Sequence, residues 1–259
     1  MPSRLNQRIS ATLPGWVARR RTALDSHKWR RLERILADRC DLVAVVSEDD
    51  AAEFRPLSNT PVVVRANGVN LADYPFFDHA PQGGTRVLYT GDFGYPPNID
   101  ATRWLAADIA PRLSAARPAV GVTLVGRSVS DGPWPAGMSA VRDVPAIQPY
   151  FDQADLFRAP LRAGGGAAFQ ARRGLRPGPA GGVDHGRSRG PGREERGPPV
   201  IADTAPDLAA ATLRLLDDGA LRARLAANAR SLAETRYDWT AIGAEYATDI
   251  RRLAYHRSP

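Results

Sequence analysis

Thirty residues, Gln170 to Pro199, break an otherwise regular chain. They hold seven arginines (Arg172, Arg173, Arg176, Arg187, Arg189, Arg193, Arg196), eight glycines and five prolines, so 20 of 30 positions are Arg, Gly or Pro. Only Ala171, Leu175, Ala180 and Val183 are aliphatic. Proline removes a backbone donor and glycine weakens helix and strand alike. The composition therefore predicts a poorly ordered stretch with no core-facing helix or strand. Set against Asp184, Glu194 and Glu195, the arginines give the window +4 of the chain's net +7. The fold has to be built on either side of it.

Both sides can supply a core. The 259 residues are 43% apolar and 24% charged, which excludes wholesale disorder and predicts one to two domains. No apolar run approaches the ~20 residues of a membrane-spanning helix. Met1 to Pro14 lacks the apolar stretch of a secretory leader, so the expected address is the cytoplasm. Cys40 is the only cysteine, which excludes an internal disulfide and a cysteine-based metal site. His27, His79, His185 and His256 are scattered without metal-ligand spacing, so neither a metal nor a cofactor is expected. Lys28 is the only lysine among 35 basic residues, an arginine bias that resembles GC-rich coding more than a designed basic surface.

Hydrophobic periodicity predicts a helix over about Val17–Asp38, with Leu24, Trp29, Leu32, Ile35 and Leu36 as its apolar stripe and Arg19, Arg20, Arg30, Arg31 and Arg34 around the rest. Such a basic helix can present a solvated face, a membrane-surface face or a nucleic-acid face, and the solvated face is the default. Leu42–Val46 reads as a buried parallel strand, and Ser47 with Asp50 as a helix cap. Pro61–Val64 reads as a further strand ahead of the Asn67-Gly68 turn. A new unit then begins, with strand Arg86–Thr90, a loop to Asn98, a helix kinked or shortened by Pro111, and strand Val120–Val125 closed by Gly126. This order implies a right-handed parallel crossover, with ligand sites at the carboxyl ends of its strands. A short strand near Ala140–Val144, a helical turn near Ile147–Gln153 and the apolar run Ala154–Leu161 follow. Helices are predicted over Asp207–Leu216, Ala220–Glu234 and Thr240–Leu253.

Read together, Asp41–Asn70, Arg86–Pro111 with Val122–Arg127, Asp143–Gly166 and the tail from Asp203 resemble the family 4 nucleotide-sugar glycosyltransferases of GT-B fold. The resemblance implies an α/β, Rossmann-like parallel sheet with flanking helices. It divides the chain into an acceptor-domain remnant (1–60), a donor-binding domain (61–239, with 170–199 aberrant) and a C-terminal crossing helix (240–259). The implied activity is transfer of a sugar from a nucleotide-sugar donor to a glycan or lipid acceptor, with the inner membrane face as an alternative, peripheral address. Two departures stand out. Fewer than 50 residues precede the strand that resembles the last strand of the acceptor domain, where the family has a domain of about 100–150. The family's glutamate-bearing helix and following strand are replaced by the Arg/Gly/Pro window. An incomplete, inactive enzyme is therefore expected.

The genetic code connects the window to the family pattern. Codons can be chosen for Gln170–Pro191 that, read one base later, give KLVEAFALGRPVVSTTVGAEG, the family's helix, turn, strand and glutamate loop. A pair of compensating frame shifts explains the window better than a basic linker does. The competing class is an Arg/Gly-rich nucleic-acid-binding module. Against it, the window has no Tyr, Trp or Phe and no repeated Arg-Gly-Gly unit.

A donor site must stabilise a diphosphate, a task suited to glycine-loop and helix-terminal N–H groups. By resemblance, Gly164, Gly165 and Gly166 carry the diphosphate. Gly91, Asp92 and Gly94 follow the first donor-domain strand, where the other reading is a plain strand-to-helix turn. Arg127 either counters phosphate charge or is a surface arginine. Val144 lies where the family contacts the base, and Asn67 and Gly68 line the interdomain crevice or form a turn. The catalytic residues are left unassigned.

Overall fold

A computed structural model of the chain describes residues 16–71, 84–161, 180–185 and 204–257. The main body is a five-stranded, all-parallel sheet in the order β5-β4-β3-β6-β7. Its strands are β3 (Arg86–Asp92), β4 (Gly121–Arg127), β5 (Met138–Arg142), β6 (Leu156–Leu161) and β7 (Ala180–His185). Strands buried on both faces read as mostly apolar runs, and β6 is buried at all six positions, including Arg158, whose Nε donates to Thr212 Oγ1 at 3.1 Å. Seven register pairs join β3 to β4, from Arg86 opposite Gly121 to Asp92 opposite Arg127, whereas β3 meets β6 at only two.

Between β3 and β4 run α3 (Pro96–Trp104) and α4 (Ala110–Ala116), separated by a π-helical turn at Leu105–Ile109. Pro111 is expected to disturb this helix. The π turn absorbs the disturbance, with the N–H of Ala110 reaching back to the carbonyl of Leu105. Val87, Leu88, Leu124, Leu156 and Phe157 of the sheet pack with Leu105, Ile109 and Leu113 in one core. A short helix, α5 (Gln148–Gln153), follows β5, and α6 (Ala205–Asp217) closes that core with Leu208, Thr212, Leu215 and Leu216, spaced along one face. Thr204 caps it by accepting the N–H of Asp207, and Asp218 caps α7 (Gly219–Arg236) through the N–H of Leu221.

Amino-terminal to this body lie α1 (Trp16–Ala37), β1 (Val43–Val45), α2 (Glu48–Phe54) and β2 (Val62–Val64), with β1 and β2 paired in parallel. Ser47 caps α2 as expected, accepting the N–H of Asp50 at 3.1 Å. The last helix, α8 (Trp239–Arg257), reaches this unit. Arg65 clasps Asp249 through two bonds of 2.8 and 3.0 Å, and the backbone of Val69 bonds those of Tyr237 and Trp239.

Three sequence expectations change. The window 170–199 contains a strand after all, because β7 pairs with β6 over six residues from Leu156 opposite Ala180. An edge strand needs backbone groups rather than aliphatic side chains, so composition does not forbid it. The rest of that window lies outside the described residues. Second, α1 faces the opposite way from its pattern. It buries Ser26, Glu33 and Ala37, while Leu24, Trp29, Leu32, Ile35 and Leu36 are 41–64% exposed. Third, Ile250 of α8, expected to pack, points to solvent.

Candidate functional site

The carboxyl ends of β3, β4 and β5 converge on a pocket of about 180 Å³ lined by Gly91, Asp92, Val125, Gly126, Arg127, Asp143, Val144 and Ile147. The strands bring the residues there. Gly91 stands opposite Gly126, and Asp92 opposite Arg127, at the last two positions of the β3–β4 ladder. The floor is backbone against backbone, since a Cβ on Gly126 would fall on the carbonyl oxygen of Gly91. Only glycine fits.

Two non-glycine residues just past the strand ends take left-handed backbone, Ser128 (φ 57°) and Asp143 (φ 51°). Such conformations cluster where a chain must be aimed at a site. The N–H of Asp143 bonds the carbonyl of Gly126 at 3.2 Å, which ties the β5 exit to the pocket floor.

A buried relay sets the β3–α3 loop. Tyr89 Oη donates to Asn98 Oδ1 at 3.0 Å, and Asn98 Nδ2 donates to the carbonyl of Asp92 at 2.7 Å. Burial pushes the Tyr89 phenol well above the ordinary tyrosine range, with Asp100 adding to the effect. The Tyr89 ring meets Phe93 edge-on at 5.3 Å. At the other end of the strand, Asp155 accepts the N–H groups of Thr85 and Arg86, each at 2.9 Å, and fixes where β3 begins.

The loop's donors are largely spent internally. Asp92 Oδ1 accepts the N–H of Gly94 at 3.0 Å, while Asp92 Oδ2 accepts from Arg127 at 3.1 Å. Phe93 N–H bonds Arg127's carbonyl, and Tyr95 N–H bonds that of Asp92. Pro96 and Pro97 bring no N–H to the first turn of α3, and Asn98 N–H bonds Tyr95. The α3 terminus therefore offers its dipole but no free backbone donor. Arg127 is the cation lining the pocket. Its side chain is 77% exposed, and an exposed pair such as Arg127–Asp92 is held by only about 0–1 kcal/mol.

Of the residues singled out in the sequence, Gly91, Asp92, Arg127 and Val144 meet at the pocket, and Gly94 sits beside it against Ser128. Gly164, Gly165 and Gly166 lie outside the described residues. Gly68 is elsewhere, buried under the Trp239 ring, where an added Cβ would lie 2.7 Å from the indole. Asn67 precedes it in the half-buried link to the Val69–Asp238 bridge. Sequence reasoning missed the site roles of Gly126, Ile147, Asn98 and Tyr89. The glycine that ends an apolar strand was the available signal for Gly126. Among the described residues, no cluster of three or more His, Cys, Asp or Glu could hold a metal, and no helix is long and apolar enough to cross a membrane.

No known family profile matches the sequence, and no curated protein matches it. Solved structures do match. Sucrose-phosphate synthase from Thermosynechococcus elongatus superposes on 98% of this chain and 67% of its own, with TM-score 0.70 and 20% identity. HepE from Anabaena, solved with UDP and glucose, covers 87% of this chain and 67% of its own at TM-score 0.69 and 16% identity. TarM from S. aureus covers 86% of this chain and 46% of its own, with TM-score 0.66 and 16% identity. The parallel sheet and its flanking helices are thus a GT-B glycosyltransferase fold.

Proposed function

We propose that this chain is the nucleotide-sugar-binding part of a glycosyltransferase, with the donor seated at the carboxyl ends of β3, β4 and β5. The observation that carries this reading is the side-chain-free floor at Gly91 and Gly126, next to one exposed guanidinium and two carboxylates. Open parallel sheets take ligands at this end. At about 180 Å³ the pocket is smaller than a typical ligand cleft, so it takes one portion of a donor rather than the whole. Its charge is mixed. Asp92 and Asp143 suit the hydrogen-bonding edge of a base or sugar, and Arg127 suits the adjoining phosphate once it leaves Asp92. UDP in HepE gives the first nucleotide to try.

In this reading residues 61–239 hold the donor, 1–60 belong to an acceptor-side unit, and Arg65–Asp249 pins α8 near the junction of the two. The acceptor is a glycan or a lipid. Binding should occur without transfer, because the Arg/Gly/Pro window stands where the glutamate helix of such enzymes would be. Loss of a preorganised electrostatic group costs about 10²–10³ in rate.

The test is calorimetric titration with UDP, UDP-glucose and uridine, repeated on Gly126→Val. Binding is expected for the wild type and lost in the variant, which fills the floor. No heat from any nucleotide, or equal binding by Gly126→Val, overturns the assignment.

A further inference from the structure

One carboxylate of the pocket is left over once the internal bonds among the described residues are assigned. Asp92 spends both oxygens, Oδ1 on the N–H of Gly94 and Oδ2 on Arg127. Asp143 also lines the pocket, but its carboxylate accepts no hydrogen bond and forms no ion pair among the described residues. The neighbouring guanidinium, Arg142, is taken by Asp131. The backbone of Asp143 is nevertheless held, with φ at 51° and its N–H bonded to the carbonyl of Gly126 at 3.2 Å. A left-handed residue at the exit of β5 thus ties an uncommitted acceptor to the pocket floor.

The rest of the lining indicates what that acceptor meets. Val125, Val144 and Ile147 give the pocket apolar walls, suited to the faces of a flat ring, and Gly91 and Gly126 leave its floor bare. Arg127 is the only side-chain cation among the described residues that line it, and the donor reading commits it to phosphate. That leaves Asp143 as the charged side chain able to read the edge of the ring. An ionised carboxylate only accepts, and it is matched by two adjacent N–H donors, which it takes bidentately. Of the common nucleotide bases only guanine carries that pair, at N1 and the 2-amino group. Uracil has one N–H flanked by two carbonyls. Cytosine and adenine each set a ring acceptor beside the amino group, and a carboxylate repels it.

We infer that the donor is a guanine nucleotide-sugar and that Asp143 selects it. The inference rests on the donor-site reading and sharpens it. UDP keeps the phosphate contacts and binds, but more weakly.

Calorimetric titration of the full chain with GDP, IDP, xanthosine diphosphate and UDP tests it, repeated on Asp143→Asn. Hydrogen bonds to a charged group are the strong ones, so GDP should bind the wild type about tenfold more tightly than UDP. IDP, which lacks the 2-amino group, should lose most of that advantage. Xanthosine diphosphate, with a carbonyl in place of that amino group, should be the weakest of the purines. Asparagine tolerates a left-handed backbone, so circular dichroism of the variant should be unchanged. The variant presents one acceptor and one donor, which matches xanthine. It should lose about tenfold for GDP, change little for UDP, and prefer xanthosine diphosphate to GDP. A misfolded variant would not gain that preference. GDP and UDP bound equally by the wild type, or GDP binding untouched by Asp143→Asn, overturns the inference and leaves the donor site standing. So does an equal loss for every nucleotide in the variant, which would put Asp143 on the ribose or the sugar. No binding by any nucleotide overturns the donor-site reading, and this inference with it.

Discussion

The two sides of the central strand pair are built differently. On one side β3, β4 and β5 share long registers, with seven pairs between β3 and β4 and five between β4 and β5. Their ends close a pocket whose floor admits only glycine. On the other side β6 touches β3 at two pairs and then carries β7, drawn from the Arg/Gly/Pro window. The first side is specified by side chains and backbone together. On the second side the core strand β6 is followed by β7, whose sequence, Ala-Gly-Gly-Val-Asp-His, supplies little beyond a backbone ladder. The fully specified side is the end of the sheet proposed to hold the donor.

The position of β7 sharpens this contrast. In the shifted reading of the codons, positions 180–185 spell Pro-Val-Val-Ser-Thr-Thr, a β-prone segment, and these are the six positions at which the structure places β7. The fold keeps a place for a strand at positions now occupied by Ala-Gly-Gly-Val-Asp-His, a sequence of low strand propensity. Replacing positions 170–190 with KLVEAFALGRPVVSTTVGAEG should give the largest effect of any change suggested here. Burying several Leu, Val and Phe side chains at about 1.5–3 kcal/mol each should raise the melting temperature by ten degrees or more and add helical signal. An unchanged melt would show that the window is not a displaced copy of that pattern. Nucleotide sequencing of the locus should show the frame changing on either side of these codons.

Next in size come substitutions in the buried core and at the pocket floor. Phe157 is fully buried and stacks on Phe151 at 5.5 Å. Phe157→Ala should lose about 3–5 kcal/mol, read by chemical denaturation. Gly126→Val should lose about 1–3 kcal/mol through overpacking, whereas Gly121→Ala, with open space around its Cβ position, should stay within about 0.5 kcal/mol. Equal effects at Gly121 and Gly126 would contradict the close backbone approach at the pocket floor.

How much of this was legible beforehand differs by element. Five strands, the apolar run that contains β6 and the later helices could be read, because buried parallel strands are short apolar runs and Ser47 caps α2 as its spacing predicts. Gly91, Asp92, Arg127 and Val144 could be found because strand ends are where ligands bind. β7 could not, since an edge ladder is made of N–H and C=O groups that every residue carries. The orientation of α1 was equally hidden. A stripe shows which side is apolar, not whether anything covers it. Asn98 looked like a helix start, and only the fold brings it between Tyr89 and the carbonyl of Asp92.

Smaller effects probe the joints. Asp249 is buried and bonded twice by Arg65, so Asp249→Ala should cost about 2–3 kcal/mol and loosen α8, seen as faster amide exchange there. Tyr89→Phe removes one hydrogen bond, at about 1 kcal/mol. It should also flatten the alkaline limb of stability. With its pKa raised in the fold, the Tyr89 phenol contributes stability that is complete below the ordinary tyrosine pKa and lost as pH rises above it. A wild-type alkaline limb no steeper than that of the variant would remove Tyr89 from the relay.

Donor binding at the β3–β4–β5 end without sugar transfer is the central proposal. The most direct test is to titrate the purified chain with UDP-glucose while following sugar transfer and UDP release, with glycan and lipid acceptors present. The predicted result is saturable binding that Gly126→Val abolishes, with no transfer and no UDP release above background. Transfer abolished by Gly126→Val would show the window to be no obstacle to catalysis. Absence of binding would show that the β3–β4–β5 end is not a donor site.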